Sequence, residues 1–217
     1  MTAPGAAPTL TTARLRLRDW TERDLAPFAA LNADARVMEF FPRPLDRAES
    51  DALAARIRDH FARRGFGLWA VEAPGAADFI GFVGLSVPTF QAPFTPCVEV
   101  GWRLAAAHWG RGYATEAAAA VVAHGFRQLG LDEIVSFTVP ANVRSRRVMD
   151  RLGMTRRPVD DFDNPMLPPG HPQRPHVLYR LPRTAWEREG SERRAPEPTR
   201  PALEHGNARR QGDEPQR

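Results

Sequence analysis

The chain has 217 residues, 42% of them hydrophobic and 26% charged, with a formal net charge of +4 and a single cysteine. This length supports one domain with a buried core, no apolar run approaches bilayer length, and one cysteine cannot form an internal disulfide. Every basic side chain is arginine, but the arginines are dispersed rather than gathered with aromatic platforms, which argues against a nucleic-acid surface.

The first residues, Met1 to Thr9, carry neither the basic nor the apolar segment of a secretory signal. A loose N-terminus over 1–8 and a cytoplasmic location are expected. Leu10 to Trp20 alternates leucines with arginines and predicts a strand with one solvated face. Thr21 caps a helix running through Asn32, with Asp24 in its first turn. A second amphipathic helix runs from about Asp46 to Arg64, and Gly65 stops it. Phe66 to Glu72 and Asp78 to Val87 predict a hairpin around the Pro-Gly turn at 74–75. Val98 to Leu104 predicts a strand, Gly112 to Leu129 a helix closed by Gly130, and Glu133 to Val139 a further strand. Asn142 to Leu152 predicts a helix, and Met154 to Val159 and Arg174 to Leu181 the last strands. Cys97 sits between Pro96 and Val98, where a structural role is expected. From Arg183 the apolar periodicity fades. Thr184 to Trp186 is expected to anchor the chain end, with a disordered Arg/Glu/Pro-rich tail over 187–217. The domain is thus expected over 9–186.

The strand–helix–strand unit 98–139 implies one parallel strand pair, and the hairpins imply antiparallel pairing elsewhere. The expected class is α/β (α+β), a mixed, mostly antiparallel central sheet of about seven strands with helices on both faces.

Chemistry concentrates where strand 98–104 gives way to helix 112–129. Gly110 and Gly112 flank Arg111 at the helix start, where positive φ aims successive N–H groups into one concavity. The uncapped donors and positive dipole of a helix start then suit a pyrophosphate, and Arg111 adds charge. A dinucleotide site fits poorly. Thr115 stands at the third glycine position, Ala105 to Trp109 separates strand from glycines, and no acid ends the next strand. A Walker-type loop lacks its Gly-Lys-Ser/Thr.

The run Val98-Glu99-Val100-Gly101-Trp102-Arg103-Leu104, followed by Trp109-Gly110-Arg111-Gly112-Tyr113-Ala114-Thr115-Glu116-Ala117, resembles the acetyl-CoA motif of the GNAT superfamily of N-acetyltransferases, Gln/Arg-x-x-Gly-x-Gly/Ala. Gly112 and Ala114 match, and Trp109 replaces the Gln/Arg. The Ala-Thr-Glu-Ala continuation is similar to the ribosomal-protein-alanine (RimJ/RimL-like) branch. Asn142-Val143-Arg144-Ser145 and the following Leu152-Gly153-Met154 resemble the family's Asn-x-x-Ser helix. The resemblance spans about residues 10–181.

The resemblance implies a splayed parallel strand pair, 98–104 and 133–139, with acetyl-CoA in the gap as co-substrate and no metal. It implies that backbone groups of Trp102, Arg103 and Leu104 pair with pantetheine. Gly110, Arg111, Gly112, Tyr113, Ala114 and Thr115 would hold the pyrophosphate, and Asn142 and Ser145 would face pantetheine and sulfur. Asn142 is also placed as a plain N-cap. Attack on a thioester needs a neutral amine, so a general base helps. Glu99 is the candidate base and Glu72 the reserve. The family's tyrosine acid would fall at Met149, which cannot donate a proton, leaving Ser145 or a water.

Two loops are candidates for the acceptor pocket: Thr89 to Pro96, with Phe90 and Phe94, and Pro158 to Pro175, with Asp160, Asp161, Asp163 and His171, followed by His176. An acidic loop would suit a cationic amine; the carboxylates and histidines lack metal-ligand spacing. The expected partners are a coenzyme A thioester and an amine acceptor, with neither nucleic acid nor membrane, in a monomer or homodimer. The alternatives are a non-catalytic acyl-CoA-binding module on the same fold and, less favoured, a dinucleotide-dependent oxidoreductase.

Overall fold

The computed structural model describes residues 7–192. In chain order these form β1 (Leu10–Thr11), β2 (Arg16–Arg18), α1 (Leu25–Ala33), α2 (Arg47–Arg64), β3 (Leu68–Ala73), β4 (Ala77–Ser86), β5 (Glu99–Leu104), α3 (Tyr113–Arg127), β6 (Glu133–Thr138), α4 (Val143–Arg151), β7 (Thr155–Arg156), β8 (Phe162–Asp163), β9 (Pro175–Pro182) and α5 (Arg183–Glu192). The sheet runs β1-β2-β3-β4-β5-β6-β9-β7, and β8 pairs with β9. Every pairing is antiparallel except β5 with β6.

Nine strands replace the expected seven or so for local reasons. The leading strand divides, because its residues 13 and 14 bend away between β1 and β2. The segment expected as a strand over 154–159 keeps only β7 before Pro158 opens a 3-10 turn, where the fixed proline φ and absent N–H end the ladder. The pair Phe162–Asp163 was not anticipated, since two residues carry no readable alternation.

Helix boundaries follow capping chemistry. Asp46 accepts from the Glu49 N–H at 2.8 Å, and Glu49 returns a contact to the Asp46 N–H at 3.0 Å. Gly65, at φ 73°, ends α2 in the left-handed conformation. Both devices satisfy end groups that the helix itself cannot pair. At the chain end, α5 continues through Glu192, past the boundary expected at Trp186. Trp186 packs on Phe126 with ring centroids 5.2 Å apart. At the other end, the loose segment expected over 1–8 is corrected at its last residues. Ala7 is buried, and the Pro8 carbonyl accepts from Trp69 Nε1 at 2.7 Å. Residues 1–6 and 193–217, where the rest of those two expectations fall, lie outside the described residues.

Two apolar layers hold the sheet. On one face Val83, Leu85, Val100 and Leu104 pack with Ala117, Ala118, Val121 and Phe126 of α3 and with Val148 and Met149 of α4. The alanines let α3 lie close to the strands. On the other face Trp20, Phe28, Ile57, Ala70 and Phe82 form the layer beneath α1 and α2. Each large side chain buried here contributes about 1.5–3 kcal/mol relative to exposure.

One detail of the sheet makes the site. β5 and β6 share a single paired position, Glu99 with Val135, and the Val135 N–H donates to the Val98 carbonyl at 2.9 Å. β5 stays bonded to β4 along its whole length, and β6 to β9. Beyond that one pair the facing edges of the two parallel strands part, so a gap opens toward Leu104 and Thr138.

Candidate functional site

A cavity of about 740 Å³ occupies this gap. Glu99, Trp102, Arg103 and Leu104 border it from β5, Gly110, Gly112, Tyr113, Ala114 and Thr115 from the turn and start of α3, and Asn142 and Ser145 from α4. Of the residues expected to hold the coenzyme only Arg111 lies outside the lining; it is exposed, and its carbonyl accepts from Arg14 Nη1 at 2.9 Å.

The turn has the conformation its glycines permit. Gly110 sits at φ 74° and Gly112 at φ 79°, both left-handed. Gly112 is the N-cap of α3, yet no side chain caps this helix. By contrast Asp46 caps α2 and Asn142 caps α4. The first N–H groups of α3 therefore remain available to an anionic group at the positive end of the helix. A strut holds the turn in place. Glu116, in the first turn of α3, accepts from Thr12 Oγ1 at 2.6 Å, the Arg14 N–H at 2.9 Å and Arg14 Nε at 2.7 Å. The Arg14 guanidinium also lies 4.9 Å from the Tyr113 ring centroid.

Across the gap, Asn142 Oδ1 accepts from the Ser145 N–H at 3.1 Å, and Nδ2 donates to Thr138 Oγ1 at 3.1 Å. The amide thus ties the end of β6 to the start of α4, the N-cap role. Ser145, Val148 and Met149 form the wall above it. Met149 is buried where the resembling proteins would place a tyrosine.

Glu99 lies at the vertex where the strands part. Ser86 Oγ donates to its Oε2 at 3.3 Å. Burial pushes the carboxyl up to about 7, against the opposing pull of the Ser86 hydrogen bond; desolvation disfavours the charged form and few donors offset it. His176 borders the same space, and its Nδ1 contacts the Arg174 carbonyl at 3.0 Å. Since a carbonyl only accepts, Nδ1 carries the proton, and burial keeps the ring's pKa below its ordinary value. Cys97 does not border the cavity, and burial followed by the Glu99 charge pushes its thiol up to about 11. A thiol so held is a poor nucleophile at neutral pH.

Several expected residues are elsewhere. Glu72, the reserve base, is taken up by Arg16 at 2.8 Å and Arg18 at 3.1 Å on β2, outside the cavity. The acidic loop is not an open acidic wall. Asp160 pairs with Arg180, Asp161 with Arg156 and Asp163 with Arg174, and none of the three borders the cavity. His171 is outside too. Phe90 and Phe94 stand one layer back, packed on Phe137 and Phe162. From that loop only Asn164, Met166, Leu167 and Gln173 reach the cavity.

Other lining residues were not anticipated. The connection between α1 and α2 brings Arg36, Val37, Phe40 and Phe41 over the opening. Arg144, Arg147 and Arg151 border it from α4. Their spacing of three and four residues is legible in the sequence as one helix face. Arg144 also lies 4.6 Å from the Trp109 ring centroid and pairs with Glu39 at 2.6 Å. Among the described residues no group of three or more His, Cys, Asp or Glu is placed to hold a metal ion, and no helix is long and apolar enough to cross a membrane.

A family model described as an acetyltransferase (GNAT) domain matches residues 14–155, which take in the β5–α3 turn and α4. The chain belongs to the GNAT acetyltransferase family. This GNAT chain is 34% identical over 191 residues to an FsC-acetyl coenzyme A-N(2)-transacetylase of Aspergillus fumigatus, covering 84% of this chain and 80% of that protein. It is 28% identical over 179 residues to the uncharacterized N-acetyltransferase YnaD of Bacillus subtilis, covering 82% and 98%. Among solved structures, an acetyltransferase from Agrobacterium tumefaciens superposes with a TM-score of 0.65 at 29% identity, covering 81% of this chain and 95% of that one. The fold is also that of Mycobacterium smegmatis RimJ in complex with CoA-disulfide, with a TM-score of 0.67 at 21% identity over 88% and 97% of the two chains.

Proposed function

We propose that this GNAT protein transfers an acetyl group from acetyl-CoA to a primary amine by direct attack, with Glu99 as general base. The observation that carries the reading is the Glu99 carboxyl, the one acidic side chain among the described residues that line the cavity, at the vertex of two parting parallel strands. Acetyl-CoA, when bound, supplies the electrophilic carbonyl and the departing thiolate.

The residues of the chain divide the remaining work. The uncapped start of α3 and the left-handed glycines before it offer backbone donors to the pyrophosphate. The β5 edge that faces the gap past Glu99 offers backbone groups of Trp102 to Leu104 to pantetheine. Glu99, once ionised, accepts a proton from the incoming ammonium and leaves a neutral nucleophile. A base near 7 suits that task at neutral pH, because it is partly ionised and still basic. Ser145, which borders the cavity from α4, is the proposed proton donor to the departing sulfur, since Met149 has no proton to give. An acetyl-enzyme on Cys97 is disfavoured by its raised thiol pKa and its place outside the cavity. The A. fumigatus relative, named for transfer to an N(2) position, supports a nitrogen acceptor here.

The test is release of free thiol from acetyl-CoA with a panel of amines: peptides, amino acids and polyamines. Amine-dependent thiol release with intersecting double-reciprocal lines is expected. Parallel lines would overturn direct transfer. Acetyl-CoA binding with no thiol release on any amine would favour the acyl-CoA-binding module, the reading that buried Met149 keeps open.

A further inference from the structure

Three residues alternate onto one face of β5: Glu99, Gly101 and Arg103. Their β4 partners in register are Ser86, Gly84 and Phe82. This is the face toward α1 and α2, whereas Val100 and Leu104 point into the opposite layer beneath α3. All three residues border the cavity. Gly101 leaves a lane between the two charged residues; a Cβ added there would meet only Glu99 Oε1, at 3.8 Å.

Arg103 is the odd member. Its guanidinium lies 4.1 Å from the Phe41 ring centroid and 5.4 Å from that of Phe82. Its hydrogen bond goes from Nη1 to Asn32 Oδ1 at 2.5 Å, an uncharged amide that is itself fully buried and also donates to Ser50 Oγ. The Nε is buried without a partner. Among the described residues no carboxylate lies within ion-pair distance of Arg103. Arg103 is half-buried; withdrawing an unopposed guanidinium even partly from water is costly, and such charges are ordinarily paired. A guanidinium also stays protonated at neutral pH and presents a planar fork that matches a carboxylate.

We infer that Arg103 is the anion-recognition residue of the acceptor site, and that the acceptor is an amine that also carries a carboxylate. The carboxylate supplies the counter-charge that the protein omits, in the lane that Gly101 leaves open, and this orients the amine toward Glu99. The Asn32–Ser50 pair and the two rings hold the guanidinium in place beforehand, so little is left to order on binding. The identity of the ligand as an acceptor rests on the acetyl-transfer reading; the anion site does not.

The test therefore has a binding arm and a turnover arm. In the first, N-acetylglycine, N-acetylalanine and N-acetylglutamate are titrated against the protein saturated with CoA, each beside its uncharged carboxamide. At least one carboxylate is expected to bind about ten- to hundredfold more tightly than its amide, the range for a hydrogen bond to a charged group. Arg103→Gln should collapse that ratio toward one, and Arg103→Lys should keep part of it, because a point charge lacks the fork. Retained CoA binding shows that each variant is folded, and if Arg103→Gln fails this check the lysine variant carries the comparison. Equal binding of acid and amide, a ratio unchanged by substitution, or no binding of any pair would each overturn the anion site. In the second arm, free thiol is followed with the parent amino acids and amino amides. Carboxylate binding without thiol release leaves the anion site standing and overturns the transfer reading. Thiol release with no preference for the acid does the reverse.

Discussion

The molecule carries buried or half-buried charge in two regions and treats them in opposite ways. At the β2–α1 junction, Arg18 spends its donors fully. Nη1 and Nη2 grip both oxygens of Asp24 at 2.8 Å, Nε reaches Glu72 at 3.1 Å, and the carbonyls of Asp19 and Asp78 take the rest at 3.0 and 2.7 Å. Asp24 is 1% exposed. Burial alone would raise its carboxyl, but hydrogen bonds from Arg18 and Thr21 together with the Arg18 charge outweigh that and hold it below the usual range. At the cleft, Glu99 has one weak donor and Arg103 one neutral acceptor. There burial wins, raising Glu99 to about 7 and lowering Arg103 to about 10. A satisfied cluster stabilises the fold and has no capacity left for a ligand. An unsatisfied pair lowers stability and keeps its hydrogen-bonding capacity for one.

That contrast is open to measurement, beginning with the largest expected effect. Glu99→Gln should lower kcat/KM for the amine by about 10²–10⁴-fold, the usual contribution of a positioned general base. The wild-type kcat/KM should fall as pH drops through about 7, where Glu99 takes up its proton; a flat profile between pH 6 and 8 would remove Glu99 from that role. Next, Arg18→Ala should destabilise the protein by about 3–5 kcal/mol in urea denaturation, since it strands the buried Asp24 carboxylate. Activity of the folded fraction should stay intact, which separates the satisfied cluster from the cleft.

The same contrast predicts opposite responses to pH. Glu99 has a raised folded pKa, so its contribution is present below its unfolded value and is lost as pH rises through about 7. Glu99→Gln should therefore gain about 1–3 kcal/mol on wild type at pH 8 and little at pH 4. Asp24 has a lowered folded pKa, so its contribution is present above its unfolded value and disappears as acid protonates it. Two smaller effects concern the coenzyme side. Gly112→Ala forces a Cβ onto a residue at φ 79°, costing about 1–2 kcal/mol, and should raise KM for acetyl-CoA while leaving KM for the amine in place. Arg147→Glu should raise KM for acetyl-CoA only a few-fold, with the effect fading in salt, as for exposed charges.

Much of this architecture was legible beforehand. Alternation located most strands, and Asp46, Gly65, Asn142 and Gly130 marked helix ends through chemistry that acts within a few residues. The Gly110–Thr115 turn and the Asn142–Ser145 block declared a left-handed glycine turn and a capped helix start for the same reason. Where three residues or fewer made an element, as in β7 and β8, there was too little periodicity to read.

The charge pattern around the cleft was not legible, because it depends on pairs far apart in the chain. Asp160, Asp161 and Asp163 read as an acidic wall along the chain, but in space Arg180, Arg156 and Arg174 neutralise them. Glu72 and Glu99 are both strand glutamates by sequence. Only the sheet order shows that one faces two arginines on β2 and the other borders the cavity where β5 and β6 part. By itself the sequence determined the family, the glycine turn before α3 and the order of elements, since each rests on local backbone preference. Which charges are neutralised and which are left waiting in the cleft was decided only by the tertiary structure, because a counter-ion is set by distance in space and not by distance along the chain.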